Sequence, residues 1–251
     1  MKQLVVILVV LGFWRTPAES LADLVERADT AHRGEASAAV VTMEVETARY
    51  RRSMKIVIWS DNREGGDRTL VKLLGPASMR GYGTLKIDRS VKLYDPKTNH
   101  VTVVSHSMLG DSWMGSHFTN DDLVKETRLA EDFELSLLEK WRKDGATHYR
   151  VKMTPRPRAP VPWGKVVYEI SVRGADVLPV ESVSYRKAGD TQPERTLTFS
   201  DVRELGGRVL PTEIMVTVTD KPGEHTRIRY EKLAFDVKIP TRKFSEQALR
   251  K

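Results

Sequence analysis

Hydrophobic and polar residues alternate with a period of two along most of this chain. The clearest alternation is in two neighbouring segments near the N-terminus. Their apolar members are Val41, Met43, Val45, Met54, Ile56 and Ile58. This period is typical of strands with one buried face. Similar segments, bounded by Gly, Pro, Asp or Asn, follow at 69–74, 83–88, 90–94, 100–105, 135–140, 147–154, 165–173, 179–186, 195–202, 213–219 and 226–235. We therefore expect one strongly curved antiparallel sheet.

Two segments show helical signals instead. Apolar residues at Leu21, Leu24, Val25 and Ala28 have the i, i+3, i+4, i+7 spacing of one helix face, so we expect an amphipathic helix that ends near residue 34. Further on, Thr119 is followed three residues later by an acidic side chain, as in a helix N-cap. This arrangement predicts a second helix over residues 121–130.

The N-terminus has the three parts of a secretory signal. Lys2 precedes the apolar run 4–13, and small residues follow up to Ser20. The apolar run is shorter than the roughly 20 residues that span a bilayer, so we expect cleavage after Ala18 or Ser20 and export to the periplasm. Residues 21–251 are predicted to form a single domain.

Composition and motifs exclude several classes of function. The chain has no cysteine, so no disulfide is expected, and its 41 basic and 34 acidic residues give a net charge of +7. The basic residues are interleaved with acidic ones, which argues against nucleic-acid binding. His100, His106 and His117 have no metal-ligand spacing. We find no nucleophile motif, and we predict neither a cofactor nor catalytic residues.

A glycine-containing loop carries unusually large apolar side chains. Trp113, Met114 and Phe118 lie in it, close to Gly110 and Gly115. Such residues either plug the protein's own interior or contact something outside. We interpret the loop as a mobile lid over the interior rather than a fixed plug.

Several passages of the sequence resemble the LolA-like outer-membrane lipoprotein-sorting proteins, in particular their larger branch. Residues 79–85 and 92–96 are similar to the family's passage into a strand and the turn after it. Residues 114–123 are similar to its Met-Gly-Ser-x-Phe-x-x-x-Asp-Leu signature, and 178–249 contain further matches. The sequence departs from the pattern at Tyr82 and Gly83, which lengthen the first motif, and at His117, which replaces an often acidic residue.

The resemblance implies a mainly β fold with α-helices, an unclosed antiparallel half-barrel whose helices cover a concave apolar face. It implies a carrier that binds the acyl chains of lipids or lipoproteins and performs no covalent reaction, and it does not identify a single cargo. The candidate cavity residues are Val41, Met43, Val45, Met54, Ile56, Ile58, Leu85, Ile87 and Leu93. The candidate lid and signature residues are Trp113, Met114, Gly115, Phe118, Asp122 and Leu123. For Asp122 we expect a helix-capping role.

The expected partners are an inner-membrane transporter of the ABC or RND type as donor and an outer-membrane acceptor, with the carrier itself a monomer. Two alternatives remain open at this point. One is a periplasmic envelope-stress sensor or interaction module of similar fold, and the other is a secreted lipid-processing enzyme. Each apolar candidate residue, taken singly, is also compatible with an ordinary core position.

Overall fold

The computed structural model describes residues 19–63, 66–88, 90–108, 111–120, 122, 129–157, 159 and 161–251. Within these ranges it contains three α-helices and thirteen strands. The helices are α1 (Leu21–Asp29), α2 (Leu129–Asp132) and α3 (Glu246–Arg250). The strands are β1 (Ala36–Glu46), β2 (Arg51–Asp61), β3 (Arg68–Gly75), β4 (Gly83–Ile87), β5 (Ser90–Asp95), β6 (His100–Val103), β7 (Phe133–Lys143), β8 (Ala146–Pro155), β9 (Lys165–Arg173), β10 (Asp176–Tyr185), β11 (Arg195–Leu205), β12 (Arg208–Val218) and β13 (His225–Phe235).

All thirteen strands form one antiparallel sheet. Their order is β6-β5-β4-β3-β2-β1-β13-β12-β11-β10-β9-β8-β7, so β6 and β7 are the two edges and the sheet is not closed into a barrel. Two meanders of consecutive strands meet where β1 pairs with β13. The predicted half-barrel fold is confirmed, and each predicted strand is present.

The two faces of the sheet carry different apolar clusters. On β3 and β4, Val71 pairs with Thr84, while Leu70 pairs with Leu85 one residue along, so the two pairs point to opposite faces. Val71 packs in a cluster with Met43 and Met54. We call this the inner face. The outer face carries Leu70 and Leu85, which pack against the C-terminal segment.

Helix α1 packs on the inner face of the β7–β10 half. Its Leu24, Val25 and Ala28 join a buried cluster with strand residues such as Phe133. Ser20 caps the helix: its side chain accepts from the amide of Asp23, whose carboxylate accepts from the amide of Ser20. The helix ends at Asp29, earlier than the predicted boundary near residue 34.

The short α3 lies on the outer face instead, where its Leu249 is buried against β3 and β4. Among the described residues, no helix is both long and apolar enough to cross a membrane. Most of the second predicted helix, residues 121 and 123–128, lies outside the described residues, and the last part of that region forms α2.

Candidate functional site

The inner face of β1 to β3 forms the centre of the candidate site. Five of the predicted cavity residues are buried there, with at most 1% of their surface exposed: Val41, Met43, Val45, Met54 and Ile56. Ile58 and Leu93 pack against the same cluster and are partly buried. Seven predicted residues are therefore brought together on one face.

Leu85 and Ile87 lie on the outer face. Leu85 pairs with Leu70 and is buried beneath the C-terminal segment, and Ile87, two residues along the same strand, is 38% exposed. The sequence prediction placed them in the cavity because every apolar residue of 83–88 was assigned to one face. In the structure the inner position of this strand is held by Thr84, so neither residue belongs to the inner-face site.

The loop of residues 111–120 folds back on itself over the inner face. The Trp113 amide donates to the carbonyl of Phe118 at 2.8 Å, and the Ser116 amide donates to the carbonyl of Trp113 at 2.9 Å. Met114 and Gly115 have φ angles of 53° and 68°, in the left-handed region. For Met114 this conformation costs about 1 kcal/mol, so contacts made by the closed loop must offset it.

Trp113 is a buried member of the inner-face cluster. It is only 6% exposed, and its indole Nε1 donates to the hydroxyl of Thr84 at 3.0 Å. Met114 and Phe118 pack against the same cluster from the loop. The three large apolar side chains of the loop therefore cover the face that carries Met43 and Met54.

Polar contacts fix the two sides of this loop. The hydroxyl of Tyr50 donates to the carbonyl of Gly115, and a Cβ added to Gly115 would lie 2.9 Å from that hydroxyl oxygen. On the other side, the Thr226 hydroxyl lies 2.9 Å from the amide of His117 and 2.8 Å from its Nδ1. Glycine suits the positive φ angle at this position, and a larger residue would also have to displace the Tyr50 hydroxyl.

His117 is buried where the loop meets β13. Its Nε2 lies 3.4 Å from a carboxylate oxygen of Glu224, whose other oxygen accepts from the amide of Ala48. Burial lowers the pKa of His117 below its ordinary value, and the neighbouring Glu224 opposes that shift only in part. The loop is therefore closed with a histidine that resists protonation.

Asp122 joins the loop to the sheet through an ion pair. Its carboxylate accepts from the Thr119 amide at 2.8 Å and its own amide donates to the Thr119 hydroxyl at 3.3 Å, which is the reciprocal pattern of a capping box. The helix that it is expected to cap lies mostly outside the described residues. Asp122 also accepts two bonds, of 2.7 and 2.8 Å, from the guanidinium of Arg195. Only 7% of the Arg195 side chain is exposed.

Arg195 and Thr84 were not predicted as site residues. The alternation of β11 offered a signal for Arg195, because it places this residue on the buried inner face, opposite Ser184. A charged side chain on a buried face usually has a partner of opposite charge. Two residues of the predicted loop and signature, Leu123 and Gly110, lie outside the described residues.

The site offers apolar contact more than reactive chemistry. Within the described ranges, no group of three or more His, Asp or Glu side chains is placed to hold a metal ion. Two pairs of charged or titratable groups lie beside the apolar cluster, namely Asp122 with Arg195 and His117 with Glu224. Both fix the loop against the sheet.

Comparisons with known proteins place this arrangement among related folds. A family model described as "Uncharacterized protein" matches residues 65–251. Among curated proteins, no relative matches the sequence significantly.

Several solved structures share the fold. A DUF1329 family protein from Desulfovibrio piger is 21% identical with a TM-score of 0.78, over 91% of this chain and 97% of its own. A protein described as an outer membrane lipoprotein-sorting protein domain, from Vibrio parahaemolyticus, is 19% identical with a TM-score of 0.74, over 92% and 98%. A LolA superfamily protein from Nitrosomonas europaea is 19% identical with a TM-score of 0.68, over 90% and 97%. The chain therefore belongs to the family that the matching model describes, and it has the fold of the LolA-like proteins.

Proposed function

We propose that this protein is a periplasmic carrier that binds the acyl chains of a lipid or lipoprotein on the inner face of its sheet. The observation that carries the proposal is the position of Trp113, which is buried in the inner-face apolar cluster but belongs to a loop rather than to the sheet. In this proposal the indole takes the place of an acyl chain when no cargo is bound.

The chemistry of the inner face suits acyl chains of different lengths. Met43 and Met54 are buried members of its cluster, and Met79 and Met114 pack against that cluster. Methionine is flexible and adapts to irregular shapes. Burial of about ten methylenes contributes about 8 kcal/mol, which is enough to compete with the contacts of one closed loop.

The loop has features of a lid. Its large side chains enter the cluster, and the strained φ of Met114 favours release once those contacts are replaced. Its closed state is held by a few polar contacts at its margins, such as Tyr50 with Gly115 and His117 with Thr226. Cargo that displaces Trp113 would open the loop about these margins.

Export to the periplasm is part of the proposal. Cleavage after Ala18 would keep Ser20, which caps α1, whereas cleavage after Ser20 would remove this cap. We therefore favour Ala18, and N-terminal sequencing of the exported protein tests the choice.

The proposed cycle has a donor and an acceptor. The donor is an inner-membrane transporter of the ABC or RND type, the acceptor lies in the outer membrane, and the carrier between them is a monomer. The fold of the lipoprotein-sorting protein domain supports this cycle.

Native mass spectrometry of protein recovered gently from a periplasm, with extraction of bound lipid, is the test. We expect an acyl-bearing ligand that is lost in Ile58→Lys, on the inner face, and retained in Ile87→Lys, on the exposed outer face of a nearby strand. Because Met54 is completely buried, Met54→Lys endangers folding more than Ile58→Lys does.

A second candidate function rests on the same loop. The hydrogen bond from Trp113 to Thr84 is what a permanent plug would also make, and a plugged sheet would act as a sensor or interaction module. A protein that is always recovered empty, and that takes up neither lipid nor lipopeptide in vitro, would exclude the carrier and favour this second function.

A further inference from the structure

A basic pocket lies on the outer face, beneath the segment that leads into α3. Its volume is about 450 Å³. Lys238, Arg242 and Lys243 contribute to its rim, and Trp59 and Ile239 contribute apolar surface. Trp59 lies on β2 beside the outer-face cluster, so this pocket is separated from the acyl site by the sheet itself.

The cations of this pocket have no acidic partners in the described part of the chain. No carboxylate forms an ion pair with Lys238, Arg242 or Lys243 there, and the ammonium of Lys243 instead lies 3.6 Å from the centre of the Trp59 ring. The pocket thus concentrates positive charge next to an aromatic surface.

Nearby acidic residues are already engaged elsewhere. Glu246 lies 3.0 Å from both Lys92 and Arg250, and Asp236 lies 3.6 Å from Arg208. Neither carboxylate lines the pocket. An external anion is therefore the group that would neutralise these cations.

A buried lysine adds to the positive field. The ammonium of Lys72 donates to the carbonyls of Gly81 and Leu249, which are neutral acceptors. Burial lowers the pKa of Lys72, and the positive charge of Lys243 lowers it further. Lys72 and Lys243 are therefore close enough to interact, and their combined positive charge favours an anion at the pocket.

We propose that this pocket binds the phosphate of anionic phospholipid headgroups and so docks the protein on an anionic membrane surface. Lysine and arginine donors suit phosphate oxygens, and Trp59 beside them suits the boundary between headgroups and acyl chains. The proposal concerns the outer face and does not depend on acyl binding at the inner face.

Vesicle flotation tests this proposal. Vesicles of phosphatidylcholine alone are compared with vesicles that also contain phosphatidylglycerol with the same acyl chains, so that acyl capture contributes equally to both. We expect the wild-type protein to bind the phosphatidylglycerol vesicles at least about 25-fold more tightly.

The variant Lys238→Gln/Lys243→Gln should lose most of that preference, about 25-fold, since each of the two basic residues near an anionic surface contributes roughly fivefold. The matched control is Arg142→Gln/Lys143→Gln, which removes the same charge from exposed positions on the edge strand β7. It should bind within about twofold of wild type.

Three outcomes would overturn the proposal. Equal losses in the two double variants would show attraction by overall charge rather than by this pocket. Equal binding of the wild type to both vesicle types, or binding to neither, would remove the headgroup preference. Saturable binding of soluble glycerol phosphate without vesicle binding would show that the pocket binds a small anion instead. Failure of acyl uptake alone would contradict the proposed carrier function but not this membrane-docking proposal.

Discussion

The substitution Trp113→Ala distinguishes a mobile lid from a fixed plug, because the two interpretations predict different effects on lipid affinity. The side chain is almost completely buried among inner-face residues, so its removal should cost about 3–5 kcal/mol of the free energy of unfolding. Loss of the donor to the Thr84 hydroxyl adds about 1 kcal/mol. The total loss of stability is thus at least about 4 kcal/mol. If about half of this amount comes from contacts that exist only in the closed loop, the substitution shifts the loop toward its open state by about 2 kcal/mol, and the affinity for an acyl chain should rise about 30-fold.

The assay combines urea unfolding with displacement of a fluorescent fatty acid from the folded protein. Phe133→Ala is the matched control, since Phe133 is also a large buried aromatic residue but packs beneath α1, in the apolar cluster of the β7–β10 half. It should lose comparable stability without any gain in affinity. Both variants must remain folded at the temperature used, which circular dichroism checks.

An unchanged or weaker affinity of Trp113→Ala, together with the expected loss of stability, would refute the lid. The indole would then be a fixed part of the core. A gain of similar size in Phe133→Ala would also contradict the reasoning, because it would show that general loosening, rather than loop opening, admits the probe.

Three further predictions follow from contacts near the loop and on the outer face. Asp122→Asn should lower the free energy of unfolding by about 3 kcal/mol, because it leaves the buried Arg195 guanidinium without its carboxylate; a loss below about 1 kcal/mol in urea unfolding would contradict this. Folding lowers the pKa of His117 below its ordinary value of 6.5, so the unfolded chain binds more protons than the folded chain just below that pH, and the free energy of unfolding should fall as the pH drops below 6.5. His117→Gln should make the free energy of unfolding depend less steeply on pH in parallel urea titrations. An unchanged dependence would show that other groups cause it. Leu85→Ala should cost about 3 kcal/mol of stability but leave the affinity for the fatty-acid probe unchanged, and a changed affinity would contradict its outer-face position.

Most of the fold could be predicted because the alternation of polar and apolar residues fixes strands directly. Each predicted strand, from the one around Val41 to the one that ends at Phe235, is present in the sheet. The order of strands could not be read from the same pattern, since the pairing of β1 with β13 joins segments far apart in sequence. The early end of α1 at Asp29 also lacked a clear signal, because the polar residues after it suit a helix or a turn.

The site was harder to predict than the fold, because it depends on which face each strand buries. Both faces of β4 are covered, the inner by Trp113 and the outer by the C-terminal segment, so Leu85 and Thr84 are both buried. Alternation then no longer identifies the inner residue. The contact of Asp122 with Arg195 depends on tertiary structure that no short motif encodes.

The pairing of β1 with β13 has a consequence for how the chain reaches its native state. Each meander can assemble from local hairpins, but the seam between them forms only after β13 has been made. Until then β1 has a free edge in what becomes the middle of the sheet, open to pairing with another chain. Folding is therefore completed late, and dilution or a holding chaperone should raise the yield of refolded protein.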